Sequence, residues 1–149
     1  EALYGSHLSV EVNESACEVL IDDYLSDYLG LPLGSTALER EVYLCVGGRR
    51  VVYAHSVFAL SAGEEETALR AMLASNEPLG RSLAARNVPF EKDKLEVALV
   101  EDGELTLDGN GSKAPLIARR YRLFSSEGSD ININGALIEV FAPTLIRVG

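Results

Sequence analysis

The strongest constraint on the fold is an alternation of apolar and polar residues, with a period of two, on both sides of a Gly-Gly pair. REVYLCV at residues 40–46 is followed by Gly47 and Gly48 and then by RRVVYAHSVFAL at residues 49–60. A period of two is typical of strands, and paired glycines supply the positive φ angles of a two-residue hairpin turn. We therefore predict an antiparallel hairpin over residues 40–46 and 50–60.

The same period recurs along most of the chain. It predicts further strands at residues 95–100, 116–124 and 136–141, and a bent strand or a hairpin over residues 8–12 and 16–21. Helical spacing predicts two central helices at residues 64–75 and 81–87, the first with a capping box of Ser61 and Glu64. The irregular but apolar sequence of residues 22–37 predicts a loop or a short helix packed on the sheet. Tight hairpins without βαβ alternation indicate an α+β fold with a mostly antiparallel sheet.

Length and charge narrow the class of protein. The 149 residues predict one domain over residues 1–149, and 47% hydrophobic residues suffice for a core. The chain begins at Glu1 inside what reads as an ordered element, so we expect a short N-terminal segment to precede it. A net charge of −10 argues against a nucleic-acid or anionic-membrane partner, since phosphate contacts need a basic face. No apolar stretch is long enough to span a bilayer, and we expect a cytoplasmic protein.

Cysteine and histidine are too few and too scattered for a metal or nucleophile site. Cys17 and Cys45 are predicted to lie in different strands as buried free thiols. His7 and His55 occur without CxxC or HxxxH spacing, so no metal is expected. No nucleophile elbow, phosphate-binding loop or dinucleotide motif occurs.

Charged residues inside apolar strands are the candidates for chemistry. Arg40 opens the hairpin, and Glu139 shares a strand face with Leu137 and Phe141. A buried carboxylate needs a partner or must stay protonated, and Arg40 is a plausible partner. We expect Arg40 and Glu139 to lie on neighbouring strands of the sheet.

Three arginines in ARRYRLF, at residues 118–124, divide between the two faces of their predicted strand. Arg120 and Arg122 share one face, and Arg119 shares the other with Tyr121. A strand charge more often points to solvent, and we keep that interpretation for Arg120 and Arg122.

A Pro-Leu-Gly turn at residues 78–80 interrupts the helical region. Because the turn precedes a helix, its backbone N–H groups are free to donate to a carboxylate. The turn chemistry alone favours an ordinary connection between two helices, and both interpretations remain open.

Four segments, in this order, resemble the chorismate pyruvate-lyases and their shorter relatives of archaeal and bacterial type. REVYLC is similar to the family's RE(I/V)LLC strand, and VVYAHSVF to its returning strand. NEPLGRSL is similar to xxPLGxxL, and ARRYRLF with GALIEVFAP to RRSxL with LLxTElFLP. The resemblance covers residues 8–148 and implies a six-stranded antiparallel sheet with helices packed on one face and a small enclosed site.

The resemblance also implies an activity. These enzymes are carbon–oxygen lyases that release pyruvate from chorismate and leave 4-hydroxybenzoate, without cofactor or metal. Arg40 matches the arginine that binds the ring carboxylate, and Glu139 matches the acid near the oxygen from which pyruvate leaves. Leu79 matches the position whose backbone N–H contacts the ring carboxylate, and Gly80 and Arg81 follow it in the expected substrate site.

One matched position departs from the family pattern. The best-known bacterial members carry arginine where this chain has His55, and that arginine helps to bind the pyruvyl carboxylate. We expect His55 to do so only when protonated, with Arg81 as an alternative. The family's upstream DGS/T turn is also absent here.

Two other kinds of protein remain as alternatives. The same fold serves as the effector-sensing domain of some transcription regulators, which carry a helix-turn-helix and need not retain Arg40 and Glu139. A sensor would bind 4-hydroxybenzoate but release no pyruvate. A structural protein would leave both residues as surface charges. The sequence fixes neither the pathway that uses the product nor the oligomeric state.

Overall fold

A computed structural model describes residues 8–60, 64–74, 79–101, 107–109, 115–126 and 132–146. Six strands form one sheet in the order β1-β2-β3-β6-β5-β4. The strands are β1 Leu8–Leu20, β2 Thr36–Val46, β3 Arg49–Ala59, β4 Phe90–Val100, β5 Leu116–Ser125 and β6 Asn134–Phe141. The helices are α1 Asp23–Leu29, α2 Glu64–Ala74, α3 Leu79–Ala85 and α4 Pro143–Ile146. Among these residues, no helix combines the length and apolar character needed to cross a membrane.

The expected α+β class and six-stranded antiparallel sheet are confirmed, because every pair of neighbouring strands runs antiparallel. The predicted hairpin is β2 with β3. Gly47 and Gly48 have φ angles of 58° and 80°, the left-handed conformation that a two-residue turn requires. The turn sets the pairing of Arg40 with Ser56, after one register shift near the turn.

Helices cover both faces of the sheet. Leu38 of β2 and Leu137 of β6 belong to a core cluster with α2 and α3. We call this side the site face. The neighbouring residues Ala37 and Ala136 point the other way and pack with α1. We call this second side the α1 face. Helices α2 and α3 therefore pack on one face of the sheet as expected, and α1 packs on the opposite face.

Helix α1 forms within the predicted packed segment for local reasons. The Asp22 side chain accepts a 2.9 Å hydrogen bond from the Leu25 N–H and caps the first turn. Gly30 ends the helix in the left-handed conformation, with φ of 69°. Tyr28 and Leu29 are buried against the sheet.

Several element boundaries differ from the sequence prediction. Strand β4 begins five residues before residue 95, because its polar first half pairs with β5 through charges such as Asp93 with Arg122. Of the two alternatives for the first segments, the bent strand is confirmed, because β1 is one strand with two register shifts. Helix α3 begins at Leu79 and not at residue 81. The proposed cap Ser61 lies outside the described residues.

The two cysteines differ in environment. Both are free thiols, in different strands as predicted. Cys45 is buried as expected, but Cys17 is exposed, so that half of the prediction was wrong. Cys17 lies opposite Glu39 on the edge strand β1, where the α1 layer does not cover it.

A substitution at Gly135 tests the packing beneath α2 and α3. An ideal Cβ on Gly135 would lie 2.3 Å from a ring carbon of Phe58, which is fully buried. We expect Gly135→Ala to lower the free energy of unfolding by about 1–3 kcal/mol, the usual cost of overpacking a core, in urea denaturation. In the double variant with Phe58→Leu the loss should be smaller than the sum of the two single losses. Additive losses would contradict the contact.

Candidate active site

Arg40 is the buried charge around which the site is arranged. It lies on β2, shares the site face with Leu38, and is only 4% exposed. Its Nη1 donates a 2.6 Å hydrogen bond to the carbonyl oxygen of Leu73, in the last turn of α2. The last carbonyls of a helix have no partner within it and carry negative partial charge. Helix α2 therefore fixes where the guanidinium lies.

The remainder of that guanidinium lacks a counter-ion. Its Nε is buried and unbonded, and no carboxylate in the described part of the chain forms an ion pair with Arg40. Burial lowers the pKa of Arg40, because a low dielectric disfavours the charged form. Arginine nevertheless stays charged in proteins, and a buried charge without a partner is costly. The arrangement is suited to an anion, and the planar guanidinium matches a carboxylate.

Small side chains form the floor between Arg40 and Glu139. Arg40 lies opposite Ser56 of β3, and Glu139 of β6 lies opposite Ala54 of the same strand. Opposed residues share a face, so all four are on the site face. The side chains of Ser56 and Ala54 are short, so they add little bulk to the sheet surface between the two charges.

The expectation that Arg40 and Glu139 lie on neighbouring strands was wrong. Strand β3 lies between β2 and β6. Two strand spacings separate the Cα atoms of Arg40 and Glu139 by about 10 Å or more. Glu139 is therefore no direct partner of Arg40, and the two groups are placed at opposite sides of the floor.

Glu139 belongs to a cluster of three polar groups on the site face. Arg119 of β5 lies directly opposite Glu139, and its Nε donates a 2.5 Å hydrogen bond to Oε1. The side chain of Glu139 is 13% exposed, so the pair is largely shielded from water. Burial alone would lower the pKa of Arg119, but the charge of Glu139 and the hydrogen bond to it raise the value overall.

Tyr121 completes this cluster. It lies two residues beyond Arg119 on the same face of β5 and is 3% exposed. Burial raises the pKa of Tyr121, and the charge of Glu139 and a hydrogen bond with it add to the increase. The phenol therefore keeps its proton and can donate it in a hydrogen bond to the carboxylate.

Neither Arg119 nor Tyr121 was predicted from the sequence to have a role in the site. The signal was present in the alternation of RRYR, which separates these two residues from Arg120. What the sequence lacked was the pairing of β5 with β6, which puts their face together with Glu139. Strand pairing is a long-range property, and residue spacing within one strand does not reveal it.

The Pro-Leu-Gly turn leads into α3 on the site face. Leu79 begins the helix, and its side chain packs against the core cluster beneath α2 and α3. The first N–H groups of a helix have no partner within it. Gly80 and Arg81 complete this first turn, and Arg81 is half-buried and already has polar partners. The start of α3 therefore lies on the same side of the sheet as Arg40 and Glu139, and Pro78 lies outside the described residues.

His55 lies on the α1 face, so the structure does not bring it together with Arg40 and Glu139. It is opposed by Glu41 in β2 and by Ile138 in β6. Its Nε2 is 2.8 Å from an oxygen of Glu39. The cause is a register shift in the hairpin, which pairs Arg40 with Ser56. Because adjacent strand residues point to opposite faces, His55 points away from Arg40.

A family model described as chorismate pyruvate-lyase Rv2949c-like matches residues 2–148 of the chain. None of the curated proteins compared with the chain matches it in sequence. The family match therefore rests on a model of many sequences that spans nearly the whole chain.

Solved structures with a similar fold include domains of transcription regulators. The effector domain of PhnF from Mycobacterium smegmatis has a TM-score of 0.66 at 16% identity, over 92% of this chain and 82% of that one. The C-terminal domain of the histidine utilization repressor from Pseudomonas syringae has a TM-score of 0.66 at 13% identity, over 95% and 96%. A possible transcriptional regulator, YydK from Bacillus subtilis, has a TM-score of 0.65 at 10% identity; the match covers 99% of this chain but 62% of that one. At these identities the likeness shows the fold alone.

Replacing Arg40 tests whether its buried charge lowers the free energy of unfolding. We expect Arg40→Met to leave the free energy of unfolding unchanged or to raise it by about 1–2 kcal/mol, because the desolvation cost of the charge disappears. Urea denaturation measures the change, and Arg50→Met, at an exposed arginine paired with Glu11, is the matched control. A loss of about 3 kcal/mol or more, typical of a broken buried pair, would mean that Arg40 is a structural charge.

Proposed function

Because the chain belongs to the Rv2949c-like chorismate pyruvate-lyase family, we propose that it converts chorismate to 4-hydroxybenzoate and pyruvate. In this carbon–oxygen lyase reaction the ether bond to the ring breaks, and its electron pair leaves on the enolpyruvyl oxygen. The neighbouring ring carbon, which carries the hydroxyl group, loses its hydrogen as a proton. The ring becomes aromatic, and enolpyruvate takes up a proton to become pyruvate. Atoms and charges balance, and nothing is oxidised or reduced overall.

The reaction makes modest demands on the protein. Formation of the aromatic ring supplies the driving force, so no strong nucleophile or electron carrier is needed. The protein must hold the ring in one orientation, keep water out, and supply a proton at the departing oxygen. A site with one anchoring cation and one carboxyl group at a distance meets these demands.

The observation that carries the proposal is the buried guanidinium of Arg40. It has no carboxylate partner within the described chain, and its Nε is unbonded. A ring carboxylate would provide the missing charge and accept both N–H groups of the fork. Among the described residues, the Leu73 carbonyl alone competes for it, and that bond engages a different nitrogen from Nε.

Glu139 is assigned the role of proton donor to the departing ether oxygen. It shares the site face with Arg40 and lies beyond the small floor residues of β3. A ring anchored at Arg40 can extend over Ser56 and Ala54 toward β6. Glu139 accepts a hydrogen bond from Arg119, so it must take up a proton before it can donate one. The buried Tyr121 hydroxyl keeps its proton, because burial raises the pKa of this group, and it can donate to the same carboxyl.

The start of α3 is assigned to the ring carboxylate as well. The backbone N–H of Leu79 would be a second donor beside Arg40, with Gly80 and Arg81 bordering the site. Support comes from the helix beginning at Leu79, which leaves that N–H without an intrahelical partner, and from the packing of α3 on the site face.

A second candidate function is favoured by the similar solved structures. The PhnF domain is described as an effector domain, and a binding domain for a small aromatic acid could use the same Arg40 anchor. Such a domain would bind 4-hydroxybenzoate without releasing pyruvate. The polar cluster at Glu139 favours the lyase, since simple retention of a monoanionic ring acid does not require a carboxyl group at the far side.

Turnover of chorismate tests the proposal directly. Wild-type protein should release pyruvate in a coupled lactate dehydrogenase assay. Glu139→Gln should lower kcat by about 10²–10⁴-fold, the usual contribution of a general acid, and Arg40→Gln should chiefly raise KM. The matched control is Glu96→Gln, at a carboxylate paired with Arg120 on the α1 face, which should leave kcat and KM unchanged. Near-normal turnover in Glu139→Gln would remove the assigned acid, and binding of 4-hydroxybenzoate without pyruvate release would favour the effector domain.

The histidine substitution supplies a separate test. Because His55 lies on the α1 face beside Glu39, we expect His55→Gln to leave KM for chorismate unchanged between about pH 6 and pH 8, where histidine titrates. Initial rates at several pH values in that range measure this. A KM for the wild type that rises with pH, and a pH-independent KM for His55→Gln, would show that the protonated imidazole contacts the substrate.

A further inference from the structure

Arg119 presents a guanidinium to the candidate site from β5. Its Nε is held by Glu139 at 2.5 Å. The guanidinium carbon lies 5.1 Å from the ring centroid of Tyr121 and 5.4 Å from that of Phe141. The side chain is nevertheless 37% exposed. One edge of the group is therefore fixed by protein, and another faces outward on the site face.

The donors of Arg119 are only partly used. A guanidinium has five N–H donors in a planar fork, and Nε is the one bonded to Glu139. The guanidinium also lies over the Tyr121 ring. Within the described residues Glu139 is the one carboxylate paired with Arg119. Donors at the outer edge of the fork remain for a second anion.

The proposed substrate needs such a second cation. Chorismate has two carboxylates, one on the ring and one on the enolpyruvyl group, and Arg40 can pair with only one of them. Among the described residues, the other cations near the site face already have partners. Arg70 pairs with Glu18, Arg81 has an interaction partner of its own, and Lys92 lies over the Tyr121 ring on the outermost strand. His55 faces the other side of the sheet.

We propose that Arg119 binds the enolpyruvyl carboxylate of chorismate, an inference that rests on the proposed function. Arg119 thereby gives the site its preference for a dianion. The enolpyruvyl carboxylate and the ether oxygen are attached to the same carbon atom. A guanidinium that holds this carboxylate also brings the ether oxygen beside the carboxyl group that orients the guanidinium. Arg119 thus couples recognition of the leaving group to the position of Glu139.

Comparing chorismate with the product 4-hydroxybenzoate distinguishes the role of Arg119 from that of Arg40. 4-Hydroxybenzoate keeps the ring carboxylate and has lost the enolpyruvyl one, so Arg119 should not affect its binding. Arg119→Gln should raise KM for chorismate on the order of 100-fold, the effect of removing one partner of a shielded charge pair. The inhibition constant of 4-hydroxybenzoate should stay within about twofold, a change worth less than 1 kcal/mol. Arg40→Gln should weaken binding of both molecules.

Two further variants separate ligand binding from a structural effect. Arg119→Lys keeps the charge without the fork and should recover part of the lost affinity for chorismate. Arg120→Gln changes the next residue, which faces the other side of the sheet and pairs with Glu96, and should leave both constants unchanged. Circular dichroism and the retained inhibition by 4-hydroxybenzoate show that each variant keeps the site.

The outcomes distinguish this inference from the proposed function. Pyruvate release by the wild type, with an unchanged KM in Arg119→Gln or an equal loss of 4-hydroxybenzoate inhibition, would overturn the assignment of Arg119 and leave the lyase standing. No pyruvate release by the wild type would overturn the lyase, and the assignment of Arg119 with it. A rise in KM alone, partly reversed by lysine, is the expected result.

Discussion

Alternation along the central strand β3 decides which side chains can meet. Ser56 and Ala54 point to the site face, and His55 between them points to the α1 face. Residues 52–58 of β3 are paired on both sides, so the same alternation extends through β2 to Arg40 and through β6 to Glu139. A register change of one residue in the hairpin would exchange the faces. The turn at Gly47 and Gly48 and the bulge beside it therefore govern the composition of the site, although they lie at the end of the sheet.

The two faces handle charge in opposite ways. On the α1 face the cations are matched locally: Arg120 with Glu96, Arg122 with Asp93, and His55 with Glu39. Such half-exposed pairs contribute little to stability. On the site face Arg40 is buried, and within the described part of the chain its one polar partner is a helix carbonyl. The net charge of −10 repels an anionic substrate only weakly at a distance, because salt screens exposed charges beyond about 10 Å. At contact, a guanidinium in a low dielectric dominates.

The sequence supported the fold more fully than the site. The period-two pattern and the Gly-Gly turn were local signals, and they identified the sheet, its central hairpin and both central helices. Strand order is not local, so the separation of Arg40 from Glu139 by β3 could not be obtained from spacing. The first half of β4 was missed because a run of lysines and acids has low strand propensity, and cross-strand ion pairs with β5 compensate for it. His55 was misplaced because the resemblance aligns residues and does not detect a bulge.

The chain shares its architecture with effector domains that are 10–16% identical to it, so the fold alone does not separate binding from catalysis. A buried arginine over a floor of small residues is sufficient to retain an aromatic acid. The cluster of Arg119, Glu139 and Tyr121, across the floor from Arg40, is not needed for that. Burying an ion pair and a phenol there costs more free energy than burying apolar side chains of similar size. A site that only binds a monoanionic aromatic acid does not need this polar cluster. A site that must accept a second carboxylate and then protonate an oxygen beside it needs a cation and an exchangeable proton at that location, and this cluster contains both.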